Sequence, residues 1–166
     1  SSGKLDVNLY AAGSHDGGIT LNNATVSTNG GNITLGQLVQ DGVSNTHRLG
    51  VSITNGSVLN AAAASNPSSS TNGNITLTAN NDTTLNGATL TGNNITVNVS
   101  NATGNALTIN NGSQLTADTD LTVTGETTGT GSSYGIHTWS SSFQAGNTIA
   151  LTGTAKSGGG DGAFNS

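Results

Sequence analysis

Aliphatic residues recur along this chain at alternate positions, separated by a single polar residue or, once, by alanine: Ile19/Leu21, Ile33/Leu35, Val51/Ile53, Ile75/Leu77, Ile95/Val97/Val99, Leu107/Ile109, Leu121/Val123 and Ile149/Leu151. Alternation over so few residues marks a short strand buried on one face. Between the pairs lie Asn-Gly, Gly-Gly, Asn-Asn and Gly-Asn dipeptides, which supply the positive φ that tight turns need. No stretch carries apolar residues at i, i+3, i+4 and i+7. Ala61–Ala64 is too short to count and runs into Asn66-Pro67 and three serines. The pattern predicts an all-β chain.

The strands also repeat. Gly50-Val51-Ser52-Ile53-Thr54-Asn55-Gly56-Ser57-Val58-Leu59-Asn60-Ala61 returns 56 residues later as Ala106-Leu107-Thr108-Ile109-Asn110-Asn111-Gly112-Ser113-Gln114-Leu115-Thr116-Ala117. Leu21–Val26 returns as Leu85–Leu90 at an offset of 64, and Asn32–Leu35 as Asn94–Val97 at an offset of 62. Apolar positions persist while spacers change length, as in strands joined by variable turns. A last pair, Leu121–Gly125 leading to Tyr134 and Ile149–Gly153 leading to Phe164, breaks off in its second copy. The chain is therefore expected to be a segment of a longer array.

Composition decides which all-β architecture this is. The 166 residues include no Cys, no Met, one proline (Pro67), 31% hydrophobic and only 3% aromatic residues. So little apolar surface points towards disorder, but disordered chains lack β-branched residues, and this one is rich in Thr, Ile and Val. A sandwich needs a wide core with aromatics. A solenoid needs only a narrow one, filled by small aliphatic side chains, with neighbouring coils supplying the burial. We expect a single β-helix segment over residues 1–166. At roughly 20 residues per coil it would hold about seven or eight rungs and measure roughly 35–40 Å. Gln37–Arg48 reads as a loop protruding from it.

Several functions are excluded by what is scarce. Three basic residues (Lys4, Arg48, Lys156) against eight acidic ones leave no basic cluster to neutralise nucleic-acid phosphates. Without Cys there is no disulfide scaffold or thiolate metal site. No apolar run approaches the ~20 residues of a membrane helix, so direct membrane insertion is not expected. Ser1-Ser2-Gly3-Lys4 has no signal-peptide pattern, which places the targeting segment of a secreted parent outside this chain.

Asn-Ile-Thr-Leu (32–35 and 74–77), Leu-Asn-Gly-Ala-Thr-Leu-Thr-Gly (85–92), Asp-Leu-Thr-Val-Thr-Gly (120–125) and Thr-Ile-Ala-Leu-Thr-Gly (148–153) form a dense succession. It resembles the haemagglutinin-type repeats of two-partner-secretion exoproteins, the group of filamentous haemagglutinin and the high-molecular-weight adhesins. The likeness spans residues 17–164. It implies a right-handed parallel β-helix, exported through an outer-membrane transporter partner to the bacterial surface. It also implies a role in adhesion, contact-dependent toxin delivery or haem capture. The amino-terminal secretion domain of that family is not evident here.

Candidate chemistry is sparse. Asn-X-Ser/Thr triplets occur at Asn23, Asn32, Asn55, Asn74, Asn81, Asn94, Asn98, Asn101 and Asn111, and Pro67 disqualifies Asn66. So Asn-rich a chain generates such triplets by composition alone. The resemblance adds that high-molecular-weight adhesins carry hexoses on asparagines, and Asn32, Asn74 and Asn94, each just before a strand, are placed to point outward.

Four of the five aromatic residues, Tyr134, Trp139, Phe143 and Phe164, fall near the end, with His137 among them. Aromatic faces beside polar groups grip sugar rings; equally, such residues fill a core. Tyr134, His137, Trp139 and Phe143 are the first binding candidates, with Asp41, His47 and Arg48 of the protruding loop behind them. His15 and His47 lack a second ligand at metal spacing. Gly158–Ala163 holds one carboxylate, too few for calcium. Asp118 and Asp120 are expected to face solvent, and no carboxylate pair suits glycosidic cleavage.

The expected function is an adhesive structural module, not an enzyme, binding a host-cell glycan or glycoprotein and needing no cofactor. A passive stalk is the alternative, and a polysaccharide-acting β-helix enzyme a distant third. Ice binding would need Thr at one fixed position on consecutive, equal-length coils, and the unequal offsets argue against it.

Overall fold

The computed structural model describes residues 3–11, 16–37, 47–65, 67–129, 133–156 and 163–165. The first coil runs through β1 (Val7–Ala11), β2 (Gly17–Asn22) and β3 (Thr25–Ser27), the second through β4 (Ile33–Gln37), β5 (Leu49–Thr54) and β6 (Val58–Asn60). The third comprises β7 (Ile75–Ala79), β8 (Thr83–Asn86) and β9 (Thr89–Gly92), and the fourth β10 (Ile95–Asn101), β11 (Leu107–Asn110) and β12 (Gln114–Ala117). The fifth holds β13 (Asp120–Thr127), β14 (Ile136–Thr138) and β15 (Ser142–Ala145). Two further strands, β16 (Thr148–Ala155) and β17 (Ala163–Asn165), begin a sixth.

Every strand pairs in parallel with its counterparts one coil away. Sheet A is β1-β4-β7-β10-β13-β16, sheet B is β2-β5-β8-β11-β14-β17, and sheet C is β3-β6-β9-β12-β15. The chain is an all-β parallel solenoid, as the alternation and repeats predict. No helix among the described residues is long and apolar enough to cross a membrane.

The coil length differs from expectation. Successive sheet A partners Val7, Ile33, Ile75, Ile95, Leu121 and Ile149 lie 26, 42, 20, 26 and 28 residues apart. Only one coil has the expected 20. There are five full coils rather than seven or eight, and they stack over about 24 Å. The surplus residues lie between strands, where they leave the register undisturbed.

Inward side chains stack in continuous columns. One runs Ile33, Ile75, Ile95, Leu121 in sheet A, and another Leu59, Leu90, Leu115 in sheet C; all seven are fully buried. Each burial is worth roughly 1.5–3 kcal/mol relative to exposure, and no single coil supplies it alone. Thr83 interrupts an aliphatic column of sheet B without penalty: its hydroxyl donates to Asn81 O at 3.1 Å and accepts from Val51 N at 3.4 Å.

The corners are built as regularly as the strands. Between sheets B and C, the stacked residues Asn23, Asn55, Gly87, Asn111 and Ser140 all have positive φ, of 50°, 56°, 64°, 52° and 49°. That conformation favours Asn and Gly, hence the recurring Asn-Gly. The second and fourth coils carry one extra residue here. In each, a buried serine fills the step: Ser57 Oγ accepts from Ala24 N and Ser113 Oγ from Ala88 N, both at 3.1 Å. Each also donates to its own turn, at Thr54 O (2.6 Å) and Asn110 O (2.7 Å).

Candidate contact surface

In Ile136-His137-Thr138, the Ile and Thr point inward and the His outward. Trp139 follows one residue on, its N–H donating to Ile109 O at 3.1 Å, and Ser140 then turns the corner. Tyr134 is anchored before the strand, its N–H donating to Asn105 Oδ1 at 2.9 Å. This brings the three rings into one half-buried strip. Tyr134 and His137 centroids are 4.7 Å apart at 33°, and His137 and Trp139 centroids 4.6 Å apart at 48°. A tilted series of aromatic edges and faces with polar ends suits the apolar face of a sugar and its hydroxyls.

The other candidates are placed elsewhere. Phe143 pairs with Leu115 in sheet C and packs against the core, where aromatics are commonly found. Asp41 lies outside the described residues, as do residues 38–46 of the segment expected to protrude, and His15. His47 and Arg48 belong to the second coil, three rungs from the aromatic strip. His47 O accepts from Asn80 Nδ2 at 3.1 Å, and the Arg48 guanidinium donates to Thr103 Oγ1 at 2.9 Å, bracing two coils.

Most sequon asparagines serve the scaffold. Asn32, Asn74 and Asn94 occupy one column before sheet A. Asn32 Oδ1 accepts from Asn74 N at 2.9 Å, and Asn74 Oδ1 from Asn94 N at 3.1 Å. Asp6 and Asp120 close the column: Asn32 N donates to Asp6 Oδ1 (2.6 Å), and Asp120 N to Asn94 Oδ1 (3.2 Å). Asn55 and Asn111 donate across the B–C corner to Asn22 and Asn86, at 2.8 and 3.0 Å. Asn101 is buried, its amide donating to Thr103 O and Asn105 O. Asn81 is half-buried. Asn23 and Asn98 are exposed, and their side chains make no hydrogen bond among the described residues. Any hexose would find these two least encumbered.

Two surfaces escaped the sequence reading. One is the outer face of sheet A, where Thr34, Thr76, Thr96 and Thr122 stand in register on four consecutive rungs. Beside them run Thr78, Asn98, Thr124 and Thr152. None of these threonine hydroxyls bonds to protein among the described residues, and the column is regular because spacers vary only outside the strands. The unequal offsets therefore do not exclude a Thr array. The second surface is a hollow beside sheet C, lined by Ser68, Thr116, Asp118 and Gln144 among others. Asp118 is exposed, as expected, and it also accepts from Asn72 Nδ2. The only signal was the interruption at Asn66-Pro67.

No group of three or more His, Asp or Glu able to hold a metal occurs among the described residues. No family model matches the chain, and neither a curated protein nor a solved structure matches it.

Proposed function

We propose that this chain is a structural and adhesive module of a secreted bacterial surface adhesin, displaying a contact surface for a host-cell glycan or glycoprotein. One observation carries the reading: Tyr134, His137 and Trp139 form a continuous outward strip on a rigid wall whose inward positions are filled by other residues. Rings spent on packing belong inside, as Phe143 does. The repeat resemblance to two-partner-secretion exoproteins supports export through an outer-membrane transporter, and the stacked coils suit a shaft that holds its surface away from the envelope. Trp139→Ala is expected to lower binding to host cells or arrayed glycans at least tenfold while leaving the melting temperature unchanged. Equal loss of both would assign the strip to packing, and no binding by the unaltered chain would make it a passive stalk.

The sheet A face favours a second reading, adsorption to ice. Its first threonine column repeats about 4.8 Å apart between rungs, with a second column about 6.6 Å away along β7 and β13, presenting methyl and hydroxyl groups in register. Inhibition of ice recrystallisation, abolished by Thr96→Lys, would support it, and a chain inactive at every concentration would discard it.

A further inference from the structure

Between β6 and β7 the chain leaves the wall and comes back to it at one point. Ala61 N donates to Thr91 O, and Gly73 N donates to Ala61 O, each at 2.8 Å. The described residues between these two points fold back on themselves, in the manner of compact, self-packed loops that are often functional. Ser68 O accepts from Thr71 N (3.0 Å) and Asn72 N (2.8 Å), and Ser68 N donates to Thr71 Oγ1 (2.9 Å). Asn72 pins the base: its Oδ1 accepts from Ala63 N at 2.7 Å, while its Nδ2 donates to the Asp118 carboxylate two coils away.

The loop thus leans towards the fourth and fifth coils and borders a shallow hollow, widely open to solvent, of about 410 Å³. Ser68 and Ser69 form its outer lip. Thr116 and Gln144, paired partners on the outer face of sheet C, form its wall with Asp118. The floor is bare backbone at Gly146, where a Cβ would lie 2.1 Å from Asp118 O. The Thr116 hydroxyl, the Gln144 amide and the second Asp118 oxygen make no hydrogen bond among the described residues. This is a convergent set of one carboxylate, one amide and one hydroxyl, with no cation to attract an anion. Such a set recognises adjacent hydroxyl groups, the carboxylate accepting from them and the amide both donating and accepting.

We propose that this hollow is a saccharide subsite that holds one pyranose unit of a neutral glycan through its hydroxyls. The inference rests on the adhesive reading above and names its ligand class. It also places a second contact on the fifth coil, across the Ser140 corner from the aromatic strip.

Titration of the ¹⁵N-labelled chain with methyl glycosides of glucose, galactose, mannose and N-acetylglucosamine tests it. Saturable shifts are expected at the amides of Ser68–Thr71, Thr116–Asp118 and Gln144–Gly146 with at least one sugar. Gln144→Ala and Thr116→Val remove groups that hold nothing in the fold, so melting temperatures should be unchanged. Each should weaken binding about five-fold, the loss of one hydrogen bond. Trp139→Ala should leave these shifts intact. Saturable shifts confined to Tyr134–Trp139 would overturn the subsite while supporting the adhesin. An absence of saturable shifts with all four sugars, or binding indifferent to Gln144→Ala, would also overturn it.

Discussion

The strands β7 and β16 carry the same pattern, Ile-Thr-Leu-Thr in one and Ile-Ala-Leu-Thr in the other, yet their aliphatic side chains have opposite fates. Ile75 and Leu77 are fully buried; Ile149 and Leu151 are 46% and 41% exposed. Both pairs point inward in sheet A. The difference is that β7 has a coil on each side and β16 on one. Burial in a solenoid is conferred by the next coil rather than by the strand's own sequence. The edges of β16 and β1, at the two ends of sheet A, are correspondingly open to pairing.

The largest test of this contrast is truncation of matched leucines. Leu77→Ala should cost about 3 kcal/mol, in the range for a buried leucine, whereas Leu151→Ala should cost under about 1 kcal/mol. Denaturant midpoints with equal slopes would measure both. Comparable losses would mean that β16 is covered in solution. Next comes the corner step. Ser113→Ala strips a buried serine that bridges Ala88 N to its own turn, and should cost about 1–2 kcal/mol. A cost near zero would show that the extra residue in that coil is held by its neighbours alone.

A smaller effect, of the opposite sign, is expected towards the end. Thr138 sits inward in an aliphatic column with its hydroxyl buried and without a hydrogen-bond partner among the described residues, while buried Thr83 has both an acceptor and a donor. Thr138→Val should therefore raise stability by about 1 kcal/mol, and Thr83→Val should lower it. The smallest effect is electrostatic. Partial shielding from water raises the Asp82 carboxyl above its ordinary range, moderated by a hydrogen bond from the Thr83 backbone. The ionised form is thus disfavoured in the fold, and stability present in acid is lost as pH rises through the raised value. Asp82→Asn should be more stable than the unaltered chain at neutral pH by less than about 0.5 kcal/mol, since much of the residue is exposed. The gap should close below the ordinary carboxylate range. A gap that persists there would assign the effect to something other than charge.

The strands were legible because alternation reports a face directly. Phe143 was ambiguous for the same reason in reverse. It follows three serines, so no alternation showed that it shares a column with Leu115. Asn32, Asn74 and Asn94 looked like outward, modifiable groups, but their side chains also accept from backbone amides of the next coil, 20 to 42 residues distant in sequence. Coil length was misjudged because the spacing of alternating pairs cannot say which pair sits above which.

By itself, the sequence determined that this chain is built from short one-faced strands joined at left-handed Asn and Gly corners, and that neighbours must complete its core. Those are local preferences of backbone and side chain, and they need no knowledge of partners. Which strands stack was decided only in three dimensions, because register depends on contacts between distant residues. Stacking aligned the threonines of sheet A despite unequal spacers. It also carried the loop after β6 over Asp118 and Gln144, assembling a hollow from residues that lie far apart along the chain.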